Sequence, residues 1–483
     1  MKQSFIALLL FLWAIALNCQ TLVNPGFEQP DADANSGQTG WNTNRRTGIS
    51  SDGQEPHAGA GCMRLHNVPG SGFGSISQVV TLLPATAIRK FRVSGHIRRD
   101  SVEGYVGIWI KATDGGATSL FFDNMYDRQL AGSAPWARFS TDFVVDETAR
   151  EVQIGGLLVG DGTAWFDDFD MEEIPMAIGA MPDSIRQFLN EAVDLVEKHA
   201  LYRDSVNWPK VRSHVMAMSS DATAYSDCYP AVRYVLQKLG DHHSFLMGAQ
   251  SSKEWAEPEP DAYKKMPLTT GEIIEGKYAY LRMPGVNSGS EEANTYFADQ
   301  LHDLLDSLAK AKPVGWILDL TANTGGNCWP MLAGIGPLLG EGPCGYFLVP
   351  GASTDASWYY KKGAAGIGKN PITKVSRKPA RLDKKMPPVA VLTGPRTGSS
   401  GEVVTVAFRK RPNTRSFGEP TAGLSTGNQS YPLRDGSQIF LTTSVYADRE
   451  KMAYGSKIIP DETVPKGAED KAIEAAKKWL ENR

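Results

Sequence analysis

Residues 396–408 read RTGSSGEVVTVAF, two serines behind a glycine, set between the apolar run PPVAVLTG (387–394) and a stretch with helical spacing. A serine on the turn from a buried strand into a helix points its hydroxyl off the end of the sheet, where crevices form in such folds. The start of the helix also offers unpaired N–H groups and the positive end of its dipole, and both favour a negative oxygen beside that serine. Ser399 is therefore a candidate nucleophile and the N–H of Ser400 a candidate oxyanion donor. The plainer use of the same residues is a helix cap, Ser399 with Glu402 three positions on as a capping box.

Two further blocks carry complementary chemistry. DLTANTGGN (319–327) follows the apolar strand WILDL, and its glycine pair lets backbone N–H groups, that of Gly326 among them, face a crevice with no side chain in the way. Taken alone it is a tight turn. LGDHHSF (239–245) closes a helix with His242 and His243. A histidine at a helix end is usually a surface residue, but one beside a nucleophile supplies general-base activation.

The elements that must position these blocks alternate. After about residue 270 the chain reads strand KYAYLRMP, helix 291–310, strand VGWILDL, glycine turn, helix from about 330, strand VAVLTG, then the serine turn, with LRDGSQIFLTT as a hairpin on an Asp-Gly turn. Strand and helix in turn predict crossovers and a largely parallel, buried sheet. Residues 176–245 carry apolar residues at helical spacing, with Asp183 and Ser184 as caps for the first helix, and form a helical region leading into LGDHHSF. From 20 to 175 the text is instead short strands punctuated by Gly, Asn and Asp, the pattern of a β-sandwich. The fold class is thus multidomain: signal segment 1–19, β-sandwich 20–175, helical region 176–245 and α/β core 246–483.

Taken in order, LGDHHS, DLTANTGG, SSGE and GEPTAG (418–423), with IIPDETV near the end, resemble the C-terminal-processing or tail-specific serine peptidases and their relatives, the tricorn core and the interphotoreceptor retinoid-binding repeats. The resemblance spans roughly residues 180–483 and implies a crotonase-type fold acting on peptide bonds. It implies Ser399 as nucleophile, His243 as base, and Gly326 with Ser400 as the oxyanion hole, with no cofactor for catalysis. Two family positions differ here: Leu424 stands where dyad members carry lysine, and Tyr454 where tricorn-type members carry glutamate. Thr321 also replaces an arginine. The partner that orients His243 is left open among Asp448 and Glu450, with His242 as a neighbour. An ordinary histidine titrates near 6.5, so activity is expected to fall as pH drops through that value. Residues 246–275 are too short for the PDZ module many members insert. The segment 246–270, rich in Glu, Pro and Lys, is a lid candidate.

The first domain carries its own resemblance. LVNPGFEQP (22–30) and GTAWFDDFDMEEIP (162–175) resemble the end strands of jelly-roll modules that include carbohydrate-binding modules. Such modules often hold a structural calcium near those strands, which implies Glu28 with Asp167 or Asp168 as oxygen ligands. Trp109, Tyr105 and Phe122 are a candidate sugar-stacking platform, although strand aromatics are more often core. The expected partners are a peptide or protein substrate and, through this module, a glycan or cell surface.

Composition narrows the rest. With 50 Lys and Arg against 54 Asp and Glu and no long run of one sign, the chain has no footprint for nucleic acid. The apolar stretch from Phe5 to Leu17 behind Lys2 is too short for a membrane span of about 20 residues and fits a cleaved secretory signal. The product is expected to be exported, as a periplasmic, surface or secreted protein; Cys19 behind the apolar core admits a lipid anchor, though Asn18 fits that processing poorly. Cys328 and Cys344 admit one disulfide in an oxidising compartment. The reading is a serine peptidase, against the alternative of a non-catalytic ligand- or glycan-binding protein on the same fold.

Overall fold

The computed structural model describes residues 21–45, 48–68, 72–116, 119–126, 128–176, 181–351, 356–382, 386–465 and 469–483. The signal segment 1–19 and Cys19 lie outside the described residues. The chain falls into two units, residues 1–194 with 206–238, and residues 195–205 with 239–483.

The first unit is built on a nine-stranded, antiparallel sheet system. Its core takes Phe91, Phe143 and Phe166 from the inward faces of the strands and Phe27 and Trp41 from the segment before them, all nearly inaccessible. Two predicted strands, KFRVSGHIRR and YVGIWIKA, are halves of one strand, Arg89–Thr113, which pairs with Leu130–Val145, Glu151–Val159 and Gly162–Ile174. Register shifts after Ile97, Arg99 and Val102 let so long a strand bend. The candidate stacking platform does not form as a face: Tyr105 is buried, the Trp109 indole N–H donates to the Ile76 carbonyl at 3.2 Å, and Phe122 is exposed.

The helical region is divided differently from its sequence reading. Helices Trp208–Met218 and Tyr229–Gln237 belong to the first unit, not to the α/β core. Charge explains the attachment: Lys90 pairs with Asp221 at 2.6 Å, and Lys210 and Lys238 pair with Glu147 and Asp146.

In the second unit, strands Tyr278–Arg282, Gly315–Asp319, Val389–Thr393, Thr414–Gly418 and Glu462–Thr463 run parallel in one sheet, edged by the antiparallel Thr270–Ile274. Helices Glu291–Ala309, Cys328–Leu339 and Ser400–Phe408 follow the expected alternation, and residues from these helices and strands share one core. Gly315–Asp319 and Val389–Thr393 are buried at every residue, as continuous apolar runs require of a covered parallel sheet. A second, antiparallel sheet holds Phe245–Met247, Gln438–Ala447 and Gly342–Leu348, with Thr426–Pro432 hairpinned onto Gln438–Ala447 through the Asp-Gly turn. Cys328 and Cys344 are both free, buried thiols, so the disulfide does not form. Among the described residues no helix is long and apolar enough to cross a membrane.

Candidate active site

Val389–Thr393 delivers the chain to the serine turn, and there the backbone departs from what side chains prefer. Ser399 has φ 50° and ψ −113°, outside the regions open to ordinary residues. Glu402, fully buried, holds the turn: its carboxylate accepts the Ser399 N–H at 2.8 Å, the Thr421 hydroxyl at 2.5 Å and the Gly423 N–H at 3.0 Å. Thr421 and Gly423 belong to the GEPTAG block, which explains why the two motifs occur together. Only the glutamate half of the capping box forms, because the Glu402 N–H turns to the Ser399 carbonyl (2.8 Å) and leaves the hydroxyl unused by the helix.

That hydroxyl meets His243. Ser399 Oγ lies 2.9 Å from His243 Nε2, and His243 Nδ1 lies 2.8 Å from Thr426 Oγ1. For Nε2 to accept the serine proton, Nδ1 must carry the ring hydrogen and donate it to Thr426. Burial pushes the imidazole down to about 4, with the nearby Asp241 opposing. The ring is therefore neutral at pH 7 and free to take a proton.

The glycine block closes the other side. The Val286 N–H donates to the Gly325 carbonyl at 3.1 Å and the Asn327 N–H to the Val286 carbonyl at 2.6 Å, so Gly326 turns its own N–H and C=O away from that ladder. Its carbonyl accepts the Ser400 hydroxyl at 2.6 Å. A side chain at Gly325, φ 109°, would meet Ser399 Cβ at 2.8 Å, so only glycine fits there. The Ser400 N–H, at the first position of its helix, is one of the donors a helix leaves unpaired.

These residues line a cavity of about 400 Å³. Phe245, Met247, Trp255, Phe347, Phe440 and Leu424 give it an apolar wall, and no Lys, Arg, Asp or Glu stands among its described lining. Trp255 comes from helix Ala249–Ala256, inside the segment read as a lid. The Tyr446 phenol, fully buried and raised well above its usual range by desolvation, bonds to Ser399. Burial pushes the Cys328 thiol up to about 12, which keeps it from competing as a nucleophile.

The other candidates go elsewhere. Asp448 is buried but accepts from the Tyr454 hydroxyl at 3.0 Å and from the N–H groups of Glu450 and Met452. Glu450 is exposed and pairs with Lys410 at 3.0 Å, and His242 is exposed. The residue holding His243 is Thr426, which carries no motif. Tyr446 was likewise missed, because its strand is recognisable while its pairing is not. In the first unit, Glu28 spends both carboxylate oxygens on the N–H groups of Ala60 and Gly61 (2.9–3.3 Å), whereas Asp168 faces His57 at 2.7 Å. Asp167, the other acid read for calcium, accepts the N–H groups of His57 and Ala58.

The family model for peptidase family S41 matches residues 277–464. Over this stretch the chain is similar to peptidase family S41. The matched region begins after LGDHHS and takes in both the glycine block and the serine turn. The chain is 27% identical over 308 residues to a nisin-resistance protein of Lactococcus lactis subsp. lactis, covering 63% of this chain and 89% of that protein. Among solved structures it is similar to a lipoprotein from Streptococcus agalactiae, 23% identical, covering 64% of this chain and 99% of that one, with a TM-score of 0.50. It also matches a carbohydrate-binding module solved with β-1,4-galactotriose, 17% identical over 32% of this chain and 97% of that one, with a TM-score of 0.23.

Proposed function

We propose that the chain is an exported serine peptidase of the S41 family, in which Ser399 and His243 form a dyad steadied by Thr426. The observation that carries this is the 2.9 Å contact between Ser399 Oγ and a neutral His243 Nε2, with the hydroxyl left free by the helix. Ser399 Oγ attacks the peptide carbonyl carbon while its proton passes to Nε2. The carbonyl oxygen takes the negative charge and is held by the N–H groups of Gly326 and Ser400. His243 then returns the proton to the leaving amine nitrogen, and water repeats the sequence on the acyl-enzyme. Nothing in these steps calls on a cofactor. The crotonase-type fold belongs to the same reading.

A fluorophosphonate probe tests it. The wild-type protein should be labelled and Ser399→Ala should not; an unlabelled wild type would overturn the enzyme reading in favour of a ligand-binding protein on this fold. Nisin is the first substrate to try, because a relative is named for resistance to it. Export rests on the leader at 1–19, and targeting to glycans rests on the end-strand resemblance of the first unit. Binding of residues 20–175 to a glycan array tests the second, and a blank array removes it.

A further inference from the structure

Outside the serine site, three side chains of the first unit converge without any role in peptide hydrolysis. His57 sits on the loop before Cys62–Asn67, His96 on strand Arg89–Thr113 and Asp168 on Gly162–Ile174. Their ligand atoms all lie within 4.8 Å of one another. Asp168 Oδ2 is 2.7 Å from His57 Nδ1 and 3.9 Å from His96 Nδ1, and the two imidazoles stack with centroids 3.5 Å apart. Donors that share one ion at a bond length of about 2.1 Å stand roughly 3.4 Å apart, so an ion would open the 2.7 Å contact and tilt the two parallel rings until their nitrogens converge.

The surroundings hold the group in place. Asp167, wholly buried, accepts the N–H groups of His57 (2.9 Å) and Ala58 (3.2 Å), and Glu28 accepts those of Ala60 and Gly61. The loop carrying His57 is thus pinned at both ends by carboxylates. His96 Nδ1 is buried and has no hydrogen-bond partner among the described residues, so the fold leaves an unpartnered ring nitrogen within 4.8 Å of the other two ligand atoms. The side chains of His57 and Asp168 are about one-third exposed, which leaves an entry path.

We propose that His57, His96 and Asp168 bind a first-row transition dication of the zinc class, with water completing the shell. Two imidazole nitrogens and one carboxylate suit such an ion, whereas calcium takes oxygen ligands. The ion would join the loop and two strands that are distant in sequence, and so would staple the sheet near its chain ends.

The test uses the full chain stripped with a chelator and titrated calorimetrically with zinc chloride. One equivalent should bind, millimolar calcium should not displace it, and cobalt should give the d–d absorption of a nitrogen-and-oxygen site. His57→Ala and His96→Ala should each weaken zinc at least tenfold and abolish its effect on Tm, while His243→Ala binds as wild type does. His57 lies on a half-exposed loop, so His57→Ala decides the matter should His96→Ala fail to fold. No zinc bound by the wild type, or equal binding by His57→Ala, overturns the proposal.

Discussion

His243 and His57 are the same side chain in opposite surroundings. His243 is 9% exposed, and its outer nitrogen meets a neutral hydroxyl, so the loss of water around its charged form outweighs the opposing pull of Asp241. His57 is about a third exposed and faces a carboxylate at 2.7 Å. Where an imidazole is to take a proton only when a substrate is attacked, a buried site with a hydroxyl partner keeps it neutral. Where it is to hold a cation, an open site with an anion suits it. The partner on the second nitrogen distinguishes the two more sharply than the histidine does.

The comparison breaks most visibly at the base. His243→Ala should slow acylation on the order of a thousandfold or more, as expected when one member of a unit that acts together is lost; near wild-type burst kinetics would show the assignment wrong. Thr426→Val removes the hydroxyl that fixes the ring and should cost about ten- to a hundredfold in kcat/KM, the loss of one buried hydrogen bond. Thr426→Asp sharpens the contrast, since a carboxylate favours the imidazolium and should move the acid limb of the pH profile up by about one unit or more.

The wild-type profile is the next test. A base works in its neutral form, and this one titrates near 4 rather than near 6.5. Acylation should therefore hold from neutrality down to about pH 5 and fall only below that, later than the sequence expectation. The same sign governs folding: a histidine depressed in the folded state contributes stability above its unfolded value of about 6.5, and that contribution is lost as pH falls through the folded value. A midpoint near 6.5 in the rate profile would show that His243 is solvated. The smallest effect belongs to His242→Ala, exposed and outside the cavity, which should leave acylation within about twofold.

The sequence made the parts legible and left their assembly obscure. Ser399, Gly326 and His243 stand in compact local patterns, and the alternation of strand and helix announces a parallel sheet. Thr426 could not be found that way. It lies 183 residues from His243 and reaches it because Phe245–Met247 and Thr426–Pro432 both pair with Gln438–Ala447, and the irregularity at Gly427 and Asn428 sets its register. Asp448 and Glu450 were attractive because they are acidic and near the end motif, but sequence does not say which way a buried carboxylate faces. Residues 176–245 were read as one helical region of the peptidase part, whereas its helices Trp208–Met218 and Tyr229–Gln237 group with the first unit, since amphipathic spacing reports that a face is buried without saying against what.

Leu424 and the aromatic wall give the serine cavity a lining that, among the described residues, holds no ionised side chain. Counter-ions act on charges, and within a Debye length of about 10 Å at 0.1 M salt a neutral lining offers them nothing to screen. Substrate capture there should barely respond to ionic strength, whereas exchanging a bulky side chain at the cleavage position for a small one should lower kcat/KM. The cavity would then sort its substrates by the shape and volume they bury, not by their charge.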